Sequence, residues 1–222
     1  MLPYVSMKKI ALIIFGLAGT VGAQTAGSLG IFEGAVDVGA PAHKGSVVYD
    51  AARKEYRVTG GGENMWGGHD DFFFVWKKVT GDVVITANLK IVTDGAAHRK
   101  AGLIIRKDLE TGSVYADAVV HGAGLTSLQW REKPDDVTRT ITFPVDGPTR
   151  LRLERRRNVV TLYAGKEGGA LAEMGGTELS PFSPMYAGLG VCAHDDKAET
   201  TAVFSDVTVE VLSPPGPASD KK

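Results

Sequence analysis

The sequence predicts an all-β protein, a jelly-roll sandwich of two antiparallel sheets. Three observations carry this. Short segments alternate apolar and polar residues at the two-residue period of a strand. Turn signals rich in glycine separate them at regular intervals, and the 222 residues include 28 glycines. After the first 23 residues no apolar stripe of helical period occurs.

The elements follow in order. Residues 27–45 are rich in Gly, Ala and Pro, with one short strand expected at Ile31-Phe32-Glu33. Residues 45–50 and 55–59 form a hairpin, stopped by Gly60-Gly61-Gly62, with strand-like sequence at Glu63-Asn64-Met65-Trp66 and a loop at 67–71. Phe72-Phe73-Phe74-Val75-Trp76 is apolar on both faces, as a mid-sheet strand covered on both sides would be. In residues 82–91, Val83, Ile85, Ala87 and Leu89 make a core face. In 100–106, Ala101, Leu103 and Ile105 take one face and Lys100, Gly102, Ile104 and Arg106 the other. In 113–121, Val114, Ala116, Ala118 and Val120 point to the core, and Tyr115, Asp117, Val119 and His121 point away. In 126–131, Leu128 and Trp130 oppose Ser127, Gln129 and Arg131. Strands at 140–143, 149–156, 159–163, 185–193 and 201–211 complete about a dozen, and 166–176, small and polar, is expected to be a loop.

Three adjacent strands thus pair an apolar face with a hydrogen-bonding one. Lys100, Arg106, Tyr115, Asp117, His121, Gln129 and Arg131 share the polar face, and Glu63, Trp66 and Asp70 are expected at its rim. Planar guanidinium and amide groups, carboxylates and aromatic rings are the side chains that read dense hydroxyls and apolar C–H faces, so a carbohydrate or another polyhydroxylated ligand is the first expectation. The alternative is a protein-interaction or structural module in which Arg106, Asp117 and Arg131 form ion pairs across neighbouring strands.

Residues 1–23 are expected to be a signal peptide. Met7-Lys8-Lys9 is a charged start, 10–17 an apolar run short for a bilayer, and Val21-Gly22-Ala23 a small-residue cleavage site. An uncleaved anchor is the alternative. The expectation is export to the periplasm or the cell exterior, a single domain over 24–212, a disordered tail at 213–222, and no membrane association after cleavage. Cys192 is the single cysteine, so no intramolecular disulfide can form. A net charge of -1 gives no field to attract nucleic acid. No dinucleotide fingerprint, phosphate loop or Gly-x-Ser-x-Gly elbow is present.

The ordered series Gly45-Ser46-Val47-Val48-Tyr49-Asp50, Gly61-Gly62-Glu63-Asn64-Met65-Trp66-Gly67, Lys100-Ala101-Gly102-Leu103-Ile104-Ile105-Arg106, Gln129-Trp130-Arg131 and Ala202-Val203-Phe204-Ser205-Asp206-Val207 resembles a bacterial concanavalin A-like domain family. This is an enolase-regulation-protein-like branch of the lectin/glucanase superfamily, whose function is unknown. The resemblance spans residues 35–211 and implies a jelly roll. Two departures stand out. Arg157 replaces the glycine of an Arg-x-Gly-Asn turn, leaving Asn158 to supply any left-handed residue, and 164–174 lacks the family's Asp and Trp.

The resemblance also implies where glycosidase chemistry would show. A superfamily hydrolase commonly carries Glu-x-Asp-x-x-Glu on one strand, and no such run exists here. Hydrolysis would need Glu63, Asp70 and Asp117 to meet in space, and lyase chemistry would use Tyr115 or His121. A non-catalytic module is therefore expected, with hydrolase or lyase activity as the weaker alternative. No cofactor is expected. Related sandwiches often hold structural calcium, for which His69-Asp70-Asp71 and His194-Asp195-Asp196 offer loop oxygens.

Overall fold

The computed structural model describes residues 28–213 except 144, 146 and 148. The expected signal segment and residues 214–222 of the expected tail lie outside these. Fourteen strands are present: β1 (Gly34–Val38), β2 (Ser46–Asp50), β3 (Glu55–Gly60), β4 (Phe72–Val79), β5 (Asp82–Ile91), β6 (Lys100–Arg106), β7 (Tyr115–His121), β8 (Thr126–Arg131), β9 (Arg139–Phe143), β10 (Arg150–Arg156), β11 (Val159–Gly165), β12 (Ala172–Glu178), β13 (Met185–Cys192) and β14 (Thr200–Leu212). They form two seven-stranded antiparallel sheets, ordered β1-β4-β13-β6-β7-β8-β9 and β12-β11-β10-β5-β14-β3-β2.

The alternation read in the sequence decides which side chains meet between the sheets. Leu103, Ala118, Leu128 and Leu189 of the first sheet pack in one cluster with Ile85, Leu153, Leu162 and Phe204 of the second, all of them buried. Trp130 belongs to this core, in phase with Leu128. The apolar run of β4 divides: Phe73 and Val75 face the main core, while Phe72 and Phe74 join Val38, Met65, Ile104, Val119 and Cys192 in a second, smaller core on the sheet's outer face. A strand buried on both faces has this near-continuous apolar sequence.

Four local expectations are corrected. The first strand lies at Gly34–Val38 rather than at Ile31-Phe32-Glu33, because its partner register pairs Gly34 with Trp76 and Val38 with Phe72. Glu63-Asn64-Met65-Trp66 is loop, within a long crossing segment at 61–71. Residues 166–176, expected to be a loop, contain the start of β12, an exposed edge strand whose Ala, Gly and Glu composition carries little β propensity and whose backbone is held by β11. At the β10–β11 turn the left-handed residue is Arg157, with φ of 54°, rather than Asn158. A positive φ at the first of two turn residues matches a type II′ hairpin.

Candidate functional site

The outer face of β6, β7 and β8 is a grid set by register. Arg106, Tyr115 and Arg131 form one cross-strand row; Ile104, Asp117, Gln129 and Thr140 a second; Gly102, Val119, Ser127 and Thr142 a third; Lys100 and His121 a fourth. Gly102 has no alternative, since a Cβ there would run into the Ala118 carbonyl of β7. Across this grid lies the 61–71 loop. It can turn back at its start because Gly62 holds φ of +95° where a side chain would collide with the Asp71 backbone. The Cys192 thiol donates to Gly62 O at 3.4 Å, and Ala193 N to Gly61 O at 3.2 Å.

The loop divides the polar face in two. Over the first row it brings Asp70, whose carboxylate is clamped by both arginines. Arg106 Nη1 donates to Oδ2 at 3.2 Å, Arg131 Nη1 to Oδ2 at 3.1 Å, and Arg131 Nη2 to Oδ1 at 2.7 Å. All three side chains are at most 1% exposed. The remaining guanidinium protons are spent on backbone: Arg106 Nε on Asp108 O at 2.7 Å, Arg131 Nη1 on Ser113 O at 3.0 Å, and Arg131 Nη2 on Gly67 O at 2.7 Å. Burial lowers the Arg106 pKa against the opposing pull of Asp70. The Tyr115 ring lies 4.9 Å below the Arg131 guanidinium, and its hydroxyl donates to Met65 O at 3.0 Å. Burial above all pushes that phenol well up, so it stays protonated. Four of the expected ligand residues, Asp70, Arg106, Tyr115 and Arg131, are thus internal, because each is saturated by its neighbours and closed off from solvent by the loop. The ion pair runs to Asp70 and not to Asp117.

The other rows open into a cavity of about 380 Å³. Asn64 and Trp66 of the loop, Lys100, His121 and Gln129 are among its walls, joined by His98 and His194 from two further loops. Trp66 is 46% exposed, at the rim. Lys100 Nζ donates to Asn64 Oδ1 at 2.9 Å, which ties the loop to β6. His98 Nδ1 and His121 Nδ1 are 3.3 Å apart, so one donates and the other accepts, and His121 Nε2 meets Ser127 Oγ at 3.2 Å. Burial, then the Lys100 charge, press His121 down to about 3, and the same causes lower His194. The His121 and His194 imidazoles are neutral at physiological pH.

Beside this cavity, Asp117 is fully buried with neither oxygen hydrogen-bonded, and burial drives its carboxyl well above the usual carboxylate range despite the opposing pull of Lys100. Gln129 Oε1, on the neighbouring strand, is likewise buried and unpartnered. Glu63 is exposed at the start of the loop, its backbone N–H donating to Asp71 Oδ2 at 3.4 Å. Among the described residues no group of three or more His, Cys, Asp and Glu side chains is arranged to hold a metal ion.

Of the expected residues, then, the fold gathers Lys100, Trp66, His121 and Gln129 around the cavity. Asn64, His98, His194, Ser127, Thr140 and Thr142 also line it and are not among the ligand-binding residues expected from sequence, although Ser127 falls on the expected polar face and His194 in a candidate calcium-binding loop. Thr140 and Thr142 carry a legible signal, since β9 alternates and pairs them with Gln129 and Ser127. His98 and His194 carry none, being loop residues far apart in the chain.

No family model and no curated protein sequence matches this chain. Solved structures do. A functionally unknown protein from Saccharomyces cerevisiae superposes with a TM-score of 0.60 at 14% identity, covering 76% of this chain and 93% of that one. The carbohydrate binding module CBM66 from Bacillus subtilis gives 0.53 at 18% identity, over 81% and 97%. A GH43 protein from Bacillus licheniformis gives 0.53 at 13% identity over 72% of this chain but 33% of its own. At such identities the likeness speaks to architecture: the fold is the jelly roll of the concanavalin A-like lectins and glucanases.

Proposed function

We propose that this chain is an exported, non-catalytic carbohydrate-binding module whose ligand occupies the cavity between Trp66 and Gln129. The observation that carries the reading is the pairing of an exposed indole at the rim with a buried, unpartnered acceptor, Gln129 Oε1, in the wall. An indole packs against the C–H face of a sugar ring, and an amide oxygen without a partner is satisfied by a ligand hydroxyl. The likeness to the Bacillus subtilis carbohydrate binding module supports the same reading, as does the resemblance to the bacterial concanavalin A-like branch.

The non-catalytic assignment rests on the walls. Glycoside hydrolysis needs two carboxyl groups flanking the scissile bond, and no Asp or Glu is among the lining residues. Asp117 is walled in, Asp70 is held by two arginines, and Glu63, exposed at the start of the loop, is not among the lining residues. A histidine as depressed as His121 is a weak base, and Tyr115 is sealed under Met65. The second reading, an interaction module with an internal ion-pair network, is favoured for the Arg106–Asp70–Arg131 half of the face alone.

A thermal-shift panel of oligosaccharides tests the proposal. Ligand at a hundred times its dissociation constant adds about 2.7 kcal/mol of apparent stability. Trp66→Ala, at an exposed position, is expected to leave the unliganded melting temperature unchanged and weaken the active glycan at least about tenfold. Silence across the panel, or undiminished binding by Trp66→Ala, would move the assignment to the interaction module.

A further inference from the structure

The cavity is electrostatically one-sided. Lys100 is 2% exposed yet no carboxylate lies within 4.0 Å of its ammonium among the described residues, and its one hydrogen-bond partner there is the neutral Asn64 amide. A buried cation without a counter-ion is costly, and a protein retains one where something else supplies the negative charge. Burial lowers the Lys100 pKa, opposed in part by Cys192, Asp117 and Asp70, yet Asp117 on the adjoining strand makes no hydrogen bond to the ammonium. Around Lys100 the lining offers further polar groups and no acid: three imidazoles, the Gln129 amide, Thr140 and Thr142. His194 Nδ1 is buried without a partner, free as the N–H tautomer to donate to a ligand oxygen.

We infer that the pocket takes an acidic glycan, with the carboxylate of a uronic acid seated against Lys100 and the ring hydroxyls facing Gln129. This rests on the cavity being a carbohydrate site and names the class of sugar. The carboxylate replaces the missing counter-ion, His194 donates a further hydrogen bond, and Trp66 covers the sugar's apolar face. A neutral sugar of the same shape leaves Lys100 uncompensated. A charge-assisted hydrogen bond is roughly twice as strong as a neutral one, so the acidic form binds at least about tenfold more tightly.

Calorimetric titration of the chain with trigalacturonate, galactotriose and a sulfated galactotriose tests this. The expected result is tightest binding of trigalacturonate, with its advantage over galactotriose abolished in Lys100→Met and in Lys100→Gln. The glutamine retains a donor for Asn64, so it decides the matter if the methionine variant fails to fold by circular dichroism. Equal affinity for trigalacturonate and galactotriose, or an acidic preference that survives Lys100→Gln, overturns the inference and leaves the carbohydrate reading standing. Preference for the sulfated trimer overturns the carboxylate. No heat with any glycan, under conditions where the wider panel is also silent, removes both readings together.

Discussion

Asp117 is the residue whose environment departs furthest from what its chemistry asks. It is fully buried, pairs in register with Ile104 on one side and Gln129 on the other, and neither oxygen finds a hydrogen bond. Burial raises its pKa from the ordinary 3.8. The folded chain therefore holds a proton that the unfolded chain has lost, and unfolding releases it. Stability linked to this group is fully present below 3.8 and declines as pH rises toward the raised folded value. Asp117→Asn removes the ionisable group while keeping its shape, so its melting temperature relative to the parent should climb as pH rises above the ordinary 3.8. A difference that stays flat with pH would mean that Asp117 is ionised and solvated in the folded chain. Sequence alternation placed this aspartate on the polar face correctly. It could not distinguish an accessible carboxylate from a sealed one, because that depends on what covers the face.

The 61–71 loop is the covering element, and Asp70 is its latch. Asp70 reaches two arginines on different strands, while Asn64 is held by Lys100 and Met65 O by Tyr115. Removing one member of a buried ionic group leaves the others uncompensated, which costs about 3–5 kcal/mol. Asp70→Ala should lose about that much in denaturant unfolding, and glycan affinity should fall with it, since Asn64 and Trp66 ride on the same loop. A variant that keeps full stability would show that the arginines are satisfied by backbone carbonyls alone. The glycines that turn this loop, and the Trp within it, were legible as a motif. Its destination was not, because its anchors at 106, 115, 131 and 192 are distant in sequence and are chosen by packing.

At the scale of the molecule, one core holds both sheets together, and β14 runs beside β5, the middle strand of its sheet, paired with β5 on one side and β3 on the other. Phe204 of β14 is completely buried there. Phe204→Ala removes a large side chain from a site that cannot collapse between two sheets, and should cost about 3–5 kcal/mol, read as a lower midpoint in urea. A loss below about 1 kcal/mol would show that the packing around Phe204 relaxes into the space it leaves. The alternation of apolar and polar residues by itself determined the all-β class, the strands of the sandwich and the face each side chain takes, because a two-residue period is a local property that a strand cannot violate without burying its polar groups. Edge strand β12 escaped that reading, since its backbone is held by a neighbour rather than by side-chain preference. The tertiary structure alone decided which half of the polar face is an internal ion-pair cluster and which half is a cavity. That division depends on where one loop crosses the sheet and which distant loops bring His98 and His194, and contacts of such long sequence separation leave no periodic trace in the chain.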